Sequence, residues 1–413
     1  MHHRVRAVLG TIATLLGPGL ARAQGEGEDA AAVEPVTPVA LPAAPPPVEK
    51  PPGDGPQAGA VMPTRAIDPT VDVPAGENKF VWEPFGFLRL QYRIVRDDEN
   101  VEFVGRNDGF ELQNARVGVR GALTTRARFL ISLDGAIDER ERLNDPQGTL
   151  RVGLRDAFVD IPVSGSFEVR AGRFRTYVDP DFDATTQREF IDSPIESRGV
   201  RATDGYEAAG LAPDRSLGAA LRVAPPPPAT GGPRFGFELA VQNGADDFAS
   251  TNDNDTPAIS ASVVAWLPNR SWVMASGRFN RRTEGDLPSR TDEDDLQGTV
   301  GARFSFGPVS LAGGAIFTRT SFPTVGGPTQ NAYGAHGQLT FRLGDQVPLV
   351  TGYRFGILDP SSLILTDQVM EHAGIFVLGV PAYRMRLQLQ LVHVMDQREL
   401  TNDRVQFAVE VAL

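Results

Sequence analysis

Residues Leu150 to Arg201 read LRVGLRDAFVDIPVSGSFEVRAGRFRTYVDPDFDATTQREFIDSPIESRGVR. Two runs of alternating side chains, Val152 to Ile161 and Phe167 to Phe174, flank the turn Pro162-Val163-Ser164-Gly165, and a long polar, arginine-bearing segment follows. Alternation has a period of two, so a strand shows one set of side chains to each face. In the second run Phe167, Val169 and Ala171 form the apolar set, while Glu168 and Arg170 belong to the other. A soluble sandwich would turn the polar set to water. A membrane barrel would turn it to a wet lumen and give the apolar set to lipid.

The pattern continues in both directions. From Phe80 onward sixteen candidate strands can be read, most near the length of about 9–11 residues that crosses a membrane when tilted. Leu296, Gly298, Val300, Ala302, Phe304 and Phe306 lie on one face of a strand, with Gln297, Thr299, Arg303 and Ser305 on the other. The connections sort by parity. Pro162 to Gly165, Pro268-Asn269-Arg270, Gly307-Pro308 and Gly379-Val380-Pro381 are brief, as are Thr124-Thr125 and Gly344-Asp345-Gln346. Asp97 to Gly109, Gly135 to Thr149, Asn243 to Pro257, Arg281 to Asp295 and Thr320 to Asn331 are long and polar. Ala224 to Pro233 is a Pro-rich turn longer than the other short links. Short turns on one side and long loops on the other predict an all-β fold, a 16-stranded antiparallel transmembrane barrel over residues 80–413. An even strand number puts both termini on the short-turn side. The last strand agrees: Val405, Phe407, Val409, Val411 and Leu413 alternate with Gln406, Ala408, Glu410 and Ala412 up to the carboxyl end.

The first eighty residues read differently. A basic start, an uncharged apolar run over Ala7 to Leu20 and the small-residue site Ala21-Arg22-Ala23 predict a signal peptide over 1–23. Residues 24–79 are rich in Ala, Pro and acidic residues, so a disordered periplasmic linker is expected there. There is no cysteine, which excludes disulfide and zinc–thiolate chemistry. The net charge of −12 argues against nucleic acid as a partner. Lys50 and Lys79 are the only lysines, so cation chemistry in the patterned region falls to arginine.

From Phe85 to Leu413 the chain resembles the phosphate-selective porin family, the porin O and P group. The resemblance rests on Gly86-Phe87-Leu88-Arg89-Leu90, Phe110 to Arg120 with Asn114-Ala115-Arg116, and Arg155-Asp156-Ala157-Phe158-Val159-Asp160. Val169-Arg170-Ala171-Gly172-Arg173-Phe174-Arg175 and Val241-Gln242-Asn243-Gly244 complete it. It implies a sixteen-stranded homotrimer in the bacterial outer membrane, both termini periplasmic, and a third external loop, Arg175 to about Asp214, folded inward to narrow the channel. Family members that bind phosphate use pore lysines, which are missing here. Where the family often has Gln, Lys and then Pro-Phe, this chain has Arg173, Arg175 and Thr176-Tyr177.

Around that loop sit Arg170, Arg173, Arg175, Arg188, Arg198 and Arg201. Alternation places Arg89, Arg93, Arg116, Arg120, Arg222, Arg303 and Arg342 on the lumen wall. Arginines in a confined pore lower the barrier to anions. They are interleaved with Glu168, Asp179, Asp181, Asp183, Glu189, Asp192 and Glu196, so pairing that merely pins the loop is an equal reading. The expected function is passive diffusion of small anions such as phosphate through an arginine-lined pore. The alternatives are a general or cation-leaning porin, and a non-conducting structural or adhesive barrel. No cofactor is expected. The acidic runs Asp253-Asn254-Asp255 and Asp292-Glu293-Asp294-Asp295 lack the glycine and closing glutamate of a calcium loop. They are expected in external loops, bridged to lipopolysaccharide by divalent ions. His336, His372 and His393 stand near no serine motif, so no enzyme is expected.

Overall fold

Residues that alternate in sequence alternate in space. The computed structural model describes residues 80–412 apart from 103, 106–107, 123–126, 137–151, 183–187, 202–203, 206, 224–232, 245–250, 285–289, 324–326 and 345–347. The expected signal peptide, the linker and Leu413 lie outside the described residues. The first strands are β1 (Val81–Val95), β2 (Gly109–Ala122), β3 (Arg128–Asp134), β4 (Gly153–Ser164) and β5 (Phe167–Phe174). A two-stranded ribbon follows, β6 (Gly199–Val200) with β7 (Ala208–Ala209). Then come β8 (Ser216–Val223), β9 (Arg234–Gln242), β10 (Ala258–Leu267), β11 (Ser271–Glu284), β12 (Thr291–Phe306) and β13 (Val309–Ser321). The series ends with β14 (Gln330–Leu343), β15 (Leu349–Asp359), β16 (Val369–Val380), β17 (Met385–Asp396) and β18 (Arg404–Ala412).

Apart from the ribbon, these sixteen strands form one closed antiparallel barrel, in which β5 pairs with β8 and β1 pairs with β18. Closure leaves no sheet edge, as a membrane requires. In β18, Val405 and Phe407 are exposed on the outside while Arg404, Gln406 and Glu410 are buried inside. The outer row of β12 shows Leu296 at 59% and Val300 at 56% exposure, values that make sense for a wall meeting lipid. Gly172 marks the tightest spot on this wall. Its φ of +127° suits glycine, and a Cβ there would lie 2.1 Å from the carbonyl oxygen of Ala157.

The parity of the links holds: Gly165-Ser166, Pro268–Arg270 and Gly307-Pro308 are short, while 96–108, 175–215, 243–257 and 360–368 are long. The Pro-rich turn falls almost wholly outside the described residues. Two expected loops are shorter than predicted. Arg281 to Asp295 is largely strand, paired in register as Arg281↔Asp294 and Arg282↔Glu293. The reason is electrostatic. Arg281 lies 2.6 Å from Asp294, and Arg282 lies 2.8 Å from Glu293 and 3.1 Å from Asp295, and opposite charges facing across a ladder favour its extension. Of the acids expected in external loops, Glu293, Asp294 and Asp295 have arginine counterions. Thr320 to Asn331 shrinks likewise, because β13 runs to Ser321 and β14 begins at Gln330.

Candidate functional site

The link between β5 and β8 folds into the barrel, as the resemblance implied, and follows the inner wall as a strap from β9 round to β2. Its root is tied early. Arg175 pairs with Asp179, whose carboxylate also accepts from the backbone N–H of Asp181 at 2.8 Å and the Ser197 hydroxyl at 3.1 Å. The Tyr177 N–H donates to Glu238 on β9 at 2.8 Å. Phe182 packs between Tyr177 and Trp272, with ring centroids 4.7 and 4.8 Å away. Pro180 lies over Gly301 and Gly314 of β12 and β13; a Cβ at Gly314 would lie 2.3 Å from Pro180 Cβ, and one at Gly301 would lie 3.3 Å from it.

The strap then forms one helical turn, Ile195–Arg198, against β14 and β15. Glu196 pairs there with His336 in a buried contact. Gly334 makes room for the turn, since a Cβ at that position would lie 2.3 Å from Glu196 Cβ. Phe190, Ile191, Ile195 and Val200 pack on Val350, Leu358, Val369 and Ile375 of the inner wall. Removing such packed aliphatic surface typically costs about 2–5 kcal/mol per side chain. The strap is therefore held by an apolar core inside the barrel, beside the polar and charged side chains of the wall.

Its backbone is tied to side chains of the wall. Arg354 donates to the carbonyls of Asp192 at 2.9 Å and Ser193 at 3.2 Å and stacks over Phe190. Gln388 donates to Glu189 O at 2.8 Å, and Gln390 accepts from the Ile191 N–H at 2.8 Å. The deepest point is an ionic knot. Arg404 of β18 lies 2.5 Å from Glu371, 3.4 Å from Asp192 and 3.8 Å from Asp204. Arg198 reaches Glu371 at 2.5 Å, and Gln406 donates to Asp192 at 2.9 Å. Arg93 pairs with Asp204, and Arg201 reaches Glu111 at 3.0 Å.

Burial alone would raise the Asp192 carboxyl, but Arg404, Arg198, Arg93 and Arg201 outweigh it and hold the group well below the ordinary carboxylate range. Asp204 is likewise lowered against its own burial by Arg93, Arg404 and Arg201. A carboxyl depressed in the folded state contributes stability that is complete above its unfolded value, about 3.9, and is lost as pH falls through the folded value. The strap should therefore stay closed between pH 7 and pH 5. Single-channel conductance is expected to be flat across that window, and a step within it would contradict this knot as the closing device.

The thirteen arginines singled out from sequence are placed as follows. Arg222 lies 2.7 Å from Glu168 and 3.2 Å from Asp160. Arg89 pairs with Glu410, Arg93 with Asp204 and Arg175 with Asp179. Arg170 reaches Asp160 at 2.7 Å, Arg120 reaches Glu83 at 2.9 Å and Arg116 reaches Asp134 at 3.5 Å. Arg198 and Arg201 belong to the knot. Arg173 donates to the carbonyls of Leu154 at 2.9 Å and Arg155 at 3.1 Å. Arg188 donates to Ile191 O at 3.0 Å and 2.8 Å, Arg342 lies 3.6 Å from Glu189, and Arg303 is half-buried on the inward row of β12. The structure thus brings most of them against carboxylates or carbonyls. Asp183 lies outside the described residues.

Sequence reading passed over Arg404, Arg354, Glu371, Gln388, Gln390 and Gln406, all of which grip the strap. Their signal was the inward parity of polar residues in runs such as Leu387-Gln388-Leu389-Gln390-Leu391. Nothing in the local sequence indicated what they would touch.

The fold is that of outer-membrane porins and channels. The sequence matches no protein-family model and no curated protein. An anion-selective porin from Comamonas acidovorans aligns at 18% identity and a TM-score of 0.55, covering 81% of this chain and 100% of that one. The outer membrane channel DcaP of Acinetobacter baumannii aligns at 13% identity and a TM-score of 0.55, covering 82% and 100%. OmpT of Vibrio cholerae, an outer membrane protein in trimer form, aligns at 10% identity and a TM-score of 0.54, covering 81% and 100%.

Proposed function

We propose that this chain is a passive diffusion porin of the bacterial outer membrane, with a pore narrowed by the strap. The observation that carries this reading is a closed sixteen-stranded barrel, apolar outside and polar inside, with one long loop folded into the lumen. The porins and channels of similar fold support it. A homotrimer fits the trimer form of the Vibrio outer membrane protein.

The lean is toward small anions, phosphate included, and its support is local. Near the strap's root Arg155 and Arg215 crowd Arg116. Arg173 lies beside them, bonded to the carbonyls of Leu154 and Arg155. Asp134, Asp156 and Asp214 stand among these arginines, so the cluster carries both signs of charge. Arginines gathered in a confined polar space lower the barrier to anion entry. The name of the Comamonas porin points the same way. The competing reading, a weakly selective general porin, is favoured by the pairing of the other arginines.

Reversal potential across a planar bilayer under a salt gradient decides between them. Wild type is expected to reverse on the anion side, with phosphate blocking current. Arg173→Ala and Arg116→Ala should each move the reversal potential toward zero. A cation-side or zero potential in wild type assigns the general porin, and no conductance assigns a structural barrel.

A further inference from the structure

We propose that the outer surface of the barrel carries a binding site for a borderline divalent transition metal, Zn2+, Cu2+ or Ni2+, built from His372 and His393. These two are direct cross-strand partners on β16 and β17. Each is the second outward-facing residue from the long-loop end of its strand, after Met370 and Met395. The imidazole centroids are 6.2 Å apart and the rings are tilted by 31°. A small χ rotation brings two such rings onto one cation at the usual nitrogen–metal distance of about 2.0–2.1 Å.

The bonding of the rings makes the pair more than a coincidence of register. His393 Nδ1 lies 2.8 Å from Asp403 Oδ1, and His372 Nδ1 lies 2.6 Å from the Tyr353 hydroxyl. A carboxylate beside Nδ1 keeps the proton there and leaves the Nε2 lone pair outward, the arrangement by which a second residue orients a metal-binding histidine. The Tyr353 hydroxyl fixes the His372 ring through Nδ1, and in the tautomer protonated there it leaves that ring's Nε2 lone pair outward as well; Phe355 buttresses the ring at 5.2 Å. The His393 side chain is 62% exposed, and its place near the long-loop end of β17 puts it toward the watery rim of the outward row, not at its middle. Among the described residues no group of three or more His, Asp or Glu is set to hold a metal. Water therefore completes the shell here, as suits an exchangeable surface site. Imidazole pairs without thiolates favour the borderline ions over calcium or magnesium.

The test uses the full chain purified in detergent micelles, titrated with Cu2+ and followed by electron paramagnetic resonance, and with Zn2+ by calorimetry. Wild type is expected to bind one equivalent with coupling to two imidazole nitrogens. His372→Ala with His393→Ala should abolish that signal. His393→Asn, at an exposed position, should weaken binding at least tenfold without touching the fold. Asp403→Asn should weaken it by about 10-fold, at the low end for loss of an orienting partner. Equal binding by wild type and the double variant would assign the metal to His2, His3 or His336 and overturn the proposal. So would absence of saturable binding by wild type at micromolar metal.

Discussion

Arg404→Ala is expected to release the strap and raise single-channel conductance several-fold, while the barrel itself still forms. Arg404 is buried and stands between Glu371, Asp192 and Asp204. Its removal leaves three buried carboxylates sharing Arg198, Arg93 and Arg201. Breaking a buried ion pair from one side typically costs about 3–5 kcal/mol, because the remaining charge is left uncompensated. The strap can avoid that cost by withdrawing Asp192 and Asp204 into water, whereas Glu371, on β16, cannot leave. Conductance and tryptic cleavage at Arg188, Arg198 or Arg201 would rise together. Adding Glu371→Gln to Arg404→Ala should restore part of the closure, since it removes the carboxylate that cannot withdraw. A folded Arg404→Ala barrel with wild-type conductance and protease resistance would sink the idea that this knot holds the strap.

Gly334→Val is expected to displace the helical turn from the wall, with Gly337→Val as its control. The two positions lie on one strand and face opposite ways. A Cβ at Gly334 would lie 2.3 Å from Glu196 Cβ and 3.0 Å from Ile357 O, whereas a Cβ at Gly337 meets nothing within 4 Å. Overpacking a tight contact costs about 1–3 kcal/mol. Here that cost falls on the Glu196–His336 contact and on Ile195, which packs in the same apolar cluster. Gly334→Val should therefore raise protease sensitivity within 188–201. Gly337→Val, which adds an aliphatic group to an outward wall, should behave as wild type. Identical behaviour of the two variants would mean that the strap does not rest on β14 as described.

The barrel was legible because it depends on local periodicity. Whether Val405 or Gln406 faces lipid is set by neighbours two residues away, and the chain repeats that choice sixteen times. The parity of turns and loops is equally local. Where the reading failed, long-range charge decided. Arg281 and Arg282 looked like loop residues beside an acidic run, and only pairing across two strands turned both segments into ladder.

The candidate site divides along the same line. The sequence by itself determined that the lumen would be rich in arginine, that carboxylates would be interleaved with it, and that one long link would carry many of both. Only the tertiary structure decided which charge meets which. Arg89 finds Glu410, Arg198 finds Glu371 and Arg201 finds Glu111, at separations in sequence of 321, 173 and 90 residues. Such pairs exist because closing the barrel and folding the strap inward bury distant polar rows against one another. There each buried charge is stable only beside its opposite. Periodicity along one strand carries no information about that meeting, and the curvature of the closed sheet supplies it.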